Sequence, residues 1–260
     1  MEKKGFSKKF VNLLGKFSID KDGIIFHKTN SKFLFIVFGG AANKVAGERP
    51  LVFINYLKNA GCDVIFLRDF EKSWYHLGVN TVGGNIDEVA EFLKKTANEY
   101  ETVITWGNSM GGYASILFSS LINADMCFSF VPQTFIDEKN RKIFGDRDNK
   151  QKSKICSIST TPQYFDLKNY LQSKKTNQEK TKFYVFYGIK SRLDKIHAER
   201  MKALNSFYIF GIEGSDHYAA QTLKKMGFIE NLINKITESK NSTTVTDFLR
   251  TKNFLNELQN

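Results

Sequence analysis

Along the 260-residue chain, apolar residues gather in short unbroken runs, separated by stretches whose apolar positions recur at helical spacing. Six runs read as strands: 33–38, 64–67, 102–106, 126–131, 183–187 and 207–210. Most are continuous rather than alternating, which is the pattern of a parallel strand covered on both faces. A shorter run at 23–26 suits an antiparallel edge strand. Helical patterns fall at 86–97, 111–122, 195–205 and 219–236. Strands alternating with helices predict an α/β fold, with a mostly parallel central sheet and helices on both faces. At this length the core region, 21–238, can form one domain.

Three segments stand outside that rhythm. The first twenty residues are basic and amphipathic, with Phe6, Phe10, Leu13, Leu14 and Phe17 on one face of a helix. Such a helix either packs on its own domain or touches an anionic membrane surface peripherally. Residues 133–182 form a long polar insertion between two strands, with one short helical stretch near 165–171, and read as a lid. Residues 239–244 read as a linker. The tail, 245–260, is expected to be an amphipathic helix with Val245, Phe248, Leu255 and Leu258 near one face. It would dock on the domain or pair two chains into a homo-oligomer.

Composition narrows the function classes. The net charge is +11, and the insertion contributes +6 of it, from 12 basic and 6 acidic residues. That excess concerns partners, not fold. No zinc-knuckle spacing, RNP-like motif or recognition helix accompanies it, so nucleic acid is not the expected partner. Anionic carbohydrates, or acyl donors carrying phosphates, fit a basic surface equally well. No run reaches the roughly 18 apolar residues of a membrane span, and the N-terminus has no cleavable-signal pattern. Three scattered cysteines (Cys62, Cys127, Cys156) make no disulfide framework, so a reducing cytoplasm is expected. No two histidines or cysteines have metal-ligand spacing and no dinucleotide fingerprint occurs, so neither a metal nor a bound cofactor is expected.

The chemistry concentrates at Gly107-Asn108-Ser109-Met110-Gly111, a G-x-S-x-G sequence. It follows a strand run and leads into a helical one, the context this motif requires. On such a sharp turn strand and helix approach so closely that side chains two residues before and after the serine would collide, which places glycine at both positions. The serine hydroxyl then projects at the carboxyl end of the sheet. The Met110 N–H, at the helix start, points where a carbonyl oxygen would gain charge.

On these residues, 33–236 resembles the α/β-hydrolase superfamily. The segment 107–114, followed by Val131-Pro132-Gln133-Thr134, is also similar to small bacterial members linked to capsule and surface-polysaccharide assembly, some of them O-acetyltransferases. The resemblance implies a catalytic order of serine, acid, histidine. Of four histidines, His27 and His76 precede the serine, and His197 sits on a predicted helix and reads as a surface residue. His217, in the turn 214–217, is therefore the expected base. Asp194, after the 183–187 strand, occupies the position the resemblance implies for the acid. Asp216 and Glu213 remain alternatives, although a residue adjacent to histidine rarely faces its ring. The second oxyanion donor is expected from Gly39-Gly40-Ala41-Ala42, at Gly40 or Ala41. Asp69, Trp74 and Tyr75, after the 64–67 strand, are expected to line a substrate pocket.

The resulting expectation is acyl transfer through a Ser109 ester: an esterase, or an O-acetyltransferase using acetyl-CoA as donor and a carbohydrate as acceptor. The rival is a binding or scaffold protein that keeps the fold without turnover.

Overall fold

The structure is a computed structural model that describes residues 22–42, 45, 49–146, 150–174, 180–239, 241–253 and 255–257. The amphipathic segment 1–20 lies outside them. An eight-stranded sheet runs through the molecule in the order β1-β3-β2-β4-β5-β6-β7-β8. Its strands are β1 (Ile24–His27), β2 (Phe33–Phe38), β3 (Asp63–Leu67), β4 (Thr102–Asn108), β5 (Met126–Phe130), β6 (Lys182–Gly188), β7 (Phe207–Ile212) and β8 (Leu255–Glu257). The six inner strands are parallel; β1 and β8 pair antiparallel at the two edges.

The unbroken apolar runs are explained by burial on both faces. In β2, Leu34, Ile36 and Phe38 join a core under helices α2 (Ile86–Ala97) and α3 (Met110–Ile122). The alternate residues Phe33, Phe35 and Val37 join a second core on the other face. That core packs against α1 (Pro50–Asn59), α8 (Ala219–Lys225), α9 (Phe228–Ser239) and α10 (Ser242–Arg250). Burial of such side chains is worth about 1.5–3 kcal/mol each, so both layers contribute to stability. Phe130, Phe186 and Phe210 stack across β5, β6 and β7 at centroid spacings of 4.8 and 5.4 Å.

Three expectations need correction, and one helix lay outside them. Helix α1 was not legible: it begins at Pro50, a favoured first helical residue, but Leu51 and Val52 face solvent and blur its amphipathic pattern. The helix expected over 219–236 is two helices, broken at Gly227, whose φ of +70° ends α8. The insertion is mostly helical, with α4 (Glu138–Phe144), α5 (Lys150–Ile158) and α6 (Leu167–Ser173). Phe135, Ile136, Ile155, Leu167 and Leu171 anchor it in buried positions. The tail forms α10 and then β8 rather than one long helix. Val245 and Leu249 are fully buried against the same chain, so α10 docks on its own domain, one of the two roles expected for the tail.

Candidate active site

Every expected catalytic side chain follows the carboxyl end of a parallel strand, so all of them sit along one edge of the sheet. Ser109 follows β4, Asp194 follows β6 and His217 follows β7. Ser109 stands between β4 and α3 with φ +57° and ψ −115°, a strained backbone for a non-glycine residue. Its N–H donates to the Phe130 carbonyl at 2.9 Å, and its carbonyl accepts from the Tyr113 N–H at 3.0 Å. The flanking glycines have the predicted cause. A Cβ on Gly107 would overlap the Gly111 carbonyl, and one on Gly111 would overlap the carbonyl of Phe38. The bend is thus pinned by close approach of three backbone segments.

That second contact brings the end of β2 against the first turn of α3. The Gly39 N–H is committed to the Leu67 carbonyl at 2.9 Å, so the next N–H groups in that loop are those of Gly40 and Ala41. Met110 is the first residue of α3, where an N–H has no intrahelical acceptor. Both expected oxyanion donors therefore flank the serine's edge of the sheet.

Asp194 lies in the first turn of α7 (Arg192–Glu199), which Ser191 caps by accepting the Asp194 N–H. Its buried carboxylate has both oxygens 3.0 Å from His217 Nδ1. A carboxylate oxygen accepts, so Nδ1 is the nitrogen that donates, and in the neutral ring Nε2 carries the lone pair. The bond from Asp194 raises the imidazole pKa above its ordinary 6.5, against opposing desolvation. The alternatives separate from this arrangement: Asp216 accepts the Tyr218 N–H, and Glu213 accepts from Asn256. The 213–217 loop leans back across β6. Lys190 N–H donates to the Ser215 carbonyl at 2.9 Å, and the Asp216 carbonyl fills the space where Gly188 has no Cβ.

Two residues sit differently from expectation. Tyr75 is fully buried, with its hydroxyl 3.1 Å from the Gly39 carbonyl and 3.0 Å from the Leu67 carbonyl. Trp74 is 5% exposed and donates through Nε1 to Gln133 at 2.8 Å. Both point inward and brace loops, so neither lines an open pocket. Asp69 is buried too: one oxygen accepts from the Ser73 and Tyr75 N–H groups and the Ser73 hydroxyl. This clamp holds a loop in which Lys72, Trp74 and Tyr75 all have positive φ.

One histidine was misjudged. His197 is buried, not on the surface: its ring packs 4.1 Å from Phe135, and Nδ1 accepts the Thr134 N–H at 3.0 Å. His76 is also buried, with Nδ1 near the hydroxyls of Ser159 and Thr161 and Nε2 2.9 Å from the Tyr113 hydroxyl. Burial holds both imidazoles neutral, pushing His76 down to about 3 and His197 well below 6.5. Together with the Asp166–Arg200 pair, 2.8 Å apart, they tie the insertion to α3 and to the helix that carries Asp194. The sequence signal available was position: Asp194 and His197 are three apart, one helical turn on the same face.

No group of three or more potential metal ligands occurs among the described residues, and none of their helices is long and apolar enough to cross a membrane.

No family model and no curated protein matches the chain. Solved structures do. An α/β-hydrolase enzyme from a metagenome of Mar Chica lagoon sediments in Morocco, MGS-MChE2, shares 17% identity with a TM-score of 0.52, over 84% of this chain and 96% of that one. Est1E from Butyrivibrio proteoclasticus, with ferulic acid bound, shares 13% identity with a TM-score of 0.53, over 85% and 97%. The fluorophosphonate-binding serine hydrolase FphF of Staphylococcus aureus shares 12% with a TM-score of 0.54, over 80% and 87%. With strand order, elbow and neighbours in agreement, the chain has the α/β-hydrolase fold. At such identities the likeness concerns architecture, and the chemistry rests on the site itself.

Proposed function

We propose that this chain is a serine esterase or acyltransferase that works through a Ser109 ester. The observation that carries the reading is the His217–Asp194 pair, built at the same sheet edge as a serine held on a strained turn. In this mechanism His217 Nε2 takes the Ser109 proton as the hydroxyl oxygen attacks an ester carbonyl. Asp194 fixes the tautomer and balances the imidazolium. N–H groups of Met110 and the 40–41 loop hold the oxyanion. The protonated ring then gives its proton to the leaving group, and afterwards activates the acceptor that releases the acyl group. None of these steps uses a bound cofactor; acetyl-CoA would enter only as a donor substrate.

The acceptor is water in an esterase and a hydroxyl in a transferase. The exposure of His217 favours access by a second substrate, since its side chain is 49% exposed. The carbohydrate reading draws its support from the basic balance of the 133–182 insertion, 12 basic against 6 acidic residues, in keeping with an anionic chain. A location at the cytoplasmic face of a membrane would suit the basic segment 1–20.

A fluorophosphonate probe tests the nucleophile: labelling of the wild type, absent in Ser109→Ala, is expected. A folded wild type left unlabelled would favour the scaffold reading. Incubation with acetyl-CoA and an acidic polysaccharide then separates the two enzymes by acetylated polymer against free acetate.

A further inference from the structure

The loop after β2 offers two candidate donors, and the peptide geometry distinguishes them. In a parallel strand, successive residues turn their N–H and C=O groups to alternate neighbours. β2 lies between β3 and β4. Gly39 faces β3: its N–H donates to the Leu67 carbonyl, and its own carbonyl lies 3.1 Å from the Tyr75 hydroxyl. The Gly39 carbonyl and the Gly40 N–H belong to one planar trans peptide and point in opposite directions. The Gly40 N–H therefore turns away from β3, towards the side where β4 runs through Gly107 and Asn108 into Ser109. Phe38, one residue earlier, obeys the same alternation, with its carbonyl pressed against Gly111 of α3.

What keeps the peptide in that orientation is Tyr75. A glycine pair such as Gly39-Gly40 has little intrinsic preference to hold a direction. The Tyr75 phenol donates one proton between two carbonyls, those of Gly39 and Leu67, and so bridges the ends of β2 and β3. Its ring is fixed edge-on against Phe38 at 5.4 Å and Phe118 at 6.1 Å. Its backbone is fixed by Asp69, which accepts the Tyr75 N–H at 2.9 Å. The strain at Lys72, Trp74 and Tyr75 is then the cost of bringing a phenol to that spot.

We infer that Gly40, rather than Ala41, supplies the second oxyanion N–H, and that Tyr75 is the positioning residue that aims it; this rests on the Ser109 acyl-enzyme reading above. Tyr75 touches no reacting atom. It acts by holding the carbonyl on the reverse side of the peptide whose N–H does the work. Because an oxyanion donor strengthens its bond as charge develops, loss of aim lowers kcat and leaves substrate binding little changed.

The test uses Tyr75→Phe, which keeps the ring and removes the hydroxyl, with p-nitrophenyl acetate as substrate. The expected result is a fall in kcat of roughly ten- to hundredfold with KM within about twofold, somewhat less than loss of a whole donor. Affinity for an aryl trifluoromethyl ketone should fall in parallel. There the Ser109 oxygen adds to the ketone carbon, its proton passes to His217, and the former carbonyl oxygen becomes the oxyanion. A second measurement needs no variant. In wild-type protein with ¹⁵N-labelled glycine and alanine, adding the ketone should move the Gly40 amide proton downfield. A folded Tyr75→Phe protein with kcat within about twofold of wild type, a change confined to KM, or a downfield move at Ala41 instead of Gly40 would overturn the inference. If Tyr75→Phe does not fold, the amide shift alone decides. Wild type inert to both ketone and fluorophosphonate would sink the acyl-enzyme reading beneath it, whereas reactive wild type with an unaffected Tyr75→Phe sinks only the role of Tyr75.

Discussion

The carbonyl of Asp216 occupies the space where the side chain of Gly188 would begin. One glycine at the end of β6 thus lets the loop from β7 lie across the sheet edge and carry His217 to Asp194. Any larger residue must push against backbone rather than a yielding side chain.

Gly188→Ala should therefore separate His217 from its neighbours. Overpacking of this kind costs about 1–3 kcal/mol, seen as a lower melting temperature. Displacement of the base by about an ångström should lower kcat roughly a hundredfold. Esterase kinetics beside a thermal melt check both, and a variant as active as wild type would show that the loop does not seat His217.

The pH profile carries a definite sign. The base must be neutral to take a proton, and Asp194 raises the His217 pKa above 6.5. The acid limb of kcat/KM should accordingly have its midpoint above that value, activity being lost as pH falls through it. Asp194→Asn removes the stabilising charge. Its limb should move down, and kcat should fall on the order of a thousandfold or more, as the tautomer is no longer fixed. A limb that does not move would point to another group as its origin.

His76 makes the opposite kind of contribution, to stability. Its folded pKa is depressed to about 3 by burial, so its share of stability is complete above 6.5 and is lost as pH falls towards 3. Each such group costs about 1.4 kcal/mol per pH unit within that window. The contribution from His217, with its raised pKa, is already complete below 6.5 and does not oppose this slope. Urea midpoints at pH 6 and pH 5 for wild type and His76→Gln should show the variant losing less. Equal losses would mean that His76 is not the buried proton acceptor.

Why some of this was legible and some not follows from what each feature leaves in the sequence. The sheet could be read because strands covered on both faces, such as Phe33–Phe38, need apolar residues at every position. The elbow could be read because close backbone approach excludes every residue but glycine at 107 and 111. The pairing of Asp194 with His217 was expected from the order serine, acid, histidine that the resemblance implies, applied to their places after strands. The packing of the insertion left no such trace. It is joined to the domain by buried apolar residues such as Ile136, Ile155 and Leu167 and by polar contacts, among them Trp74 to Gln133, Thr134 to His197 and Arg200 to Asp166, whose partners lie far apart in sequence. Tyr75 illustrates the same limit: an aromatic after a strand end can face a pocket or brace a loop, and only the direction of the ring decides. Leu255 fits a helical stripe as well as an edge strand, so β8 stayed hidden.

That last strand has a consequence for colloidal behaviour. The parallel block is bounded on one flank by the four residues of β1 and on the other by the three of β8. Rims so short give another chain little to zip onto, whereas β7 uncovered would present Phe210, Gly211 and Ile212 as a ready template. The few residues of β8 thus act as a guard against fibrous self-association.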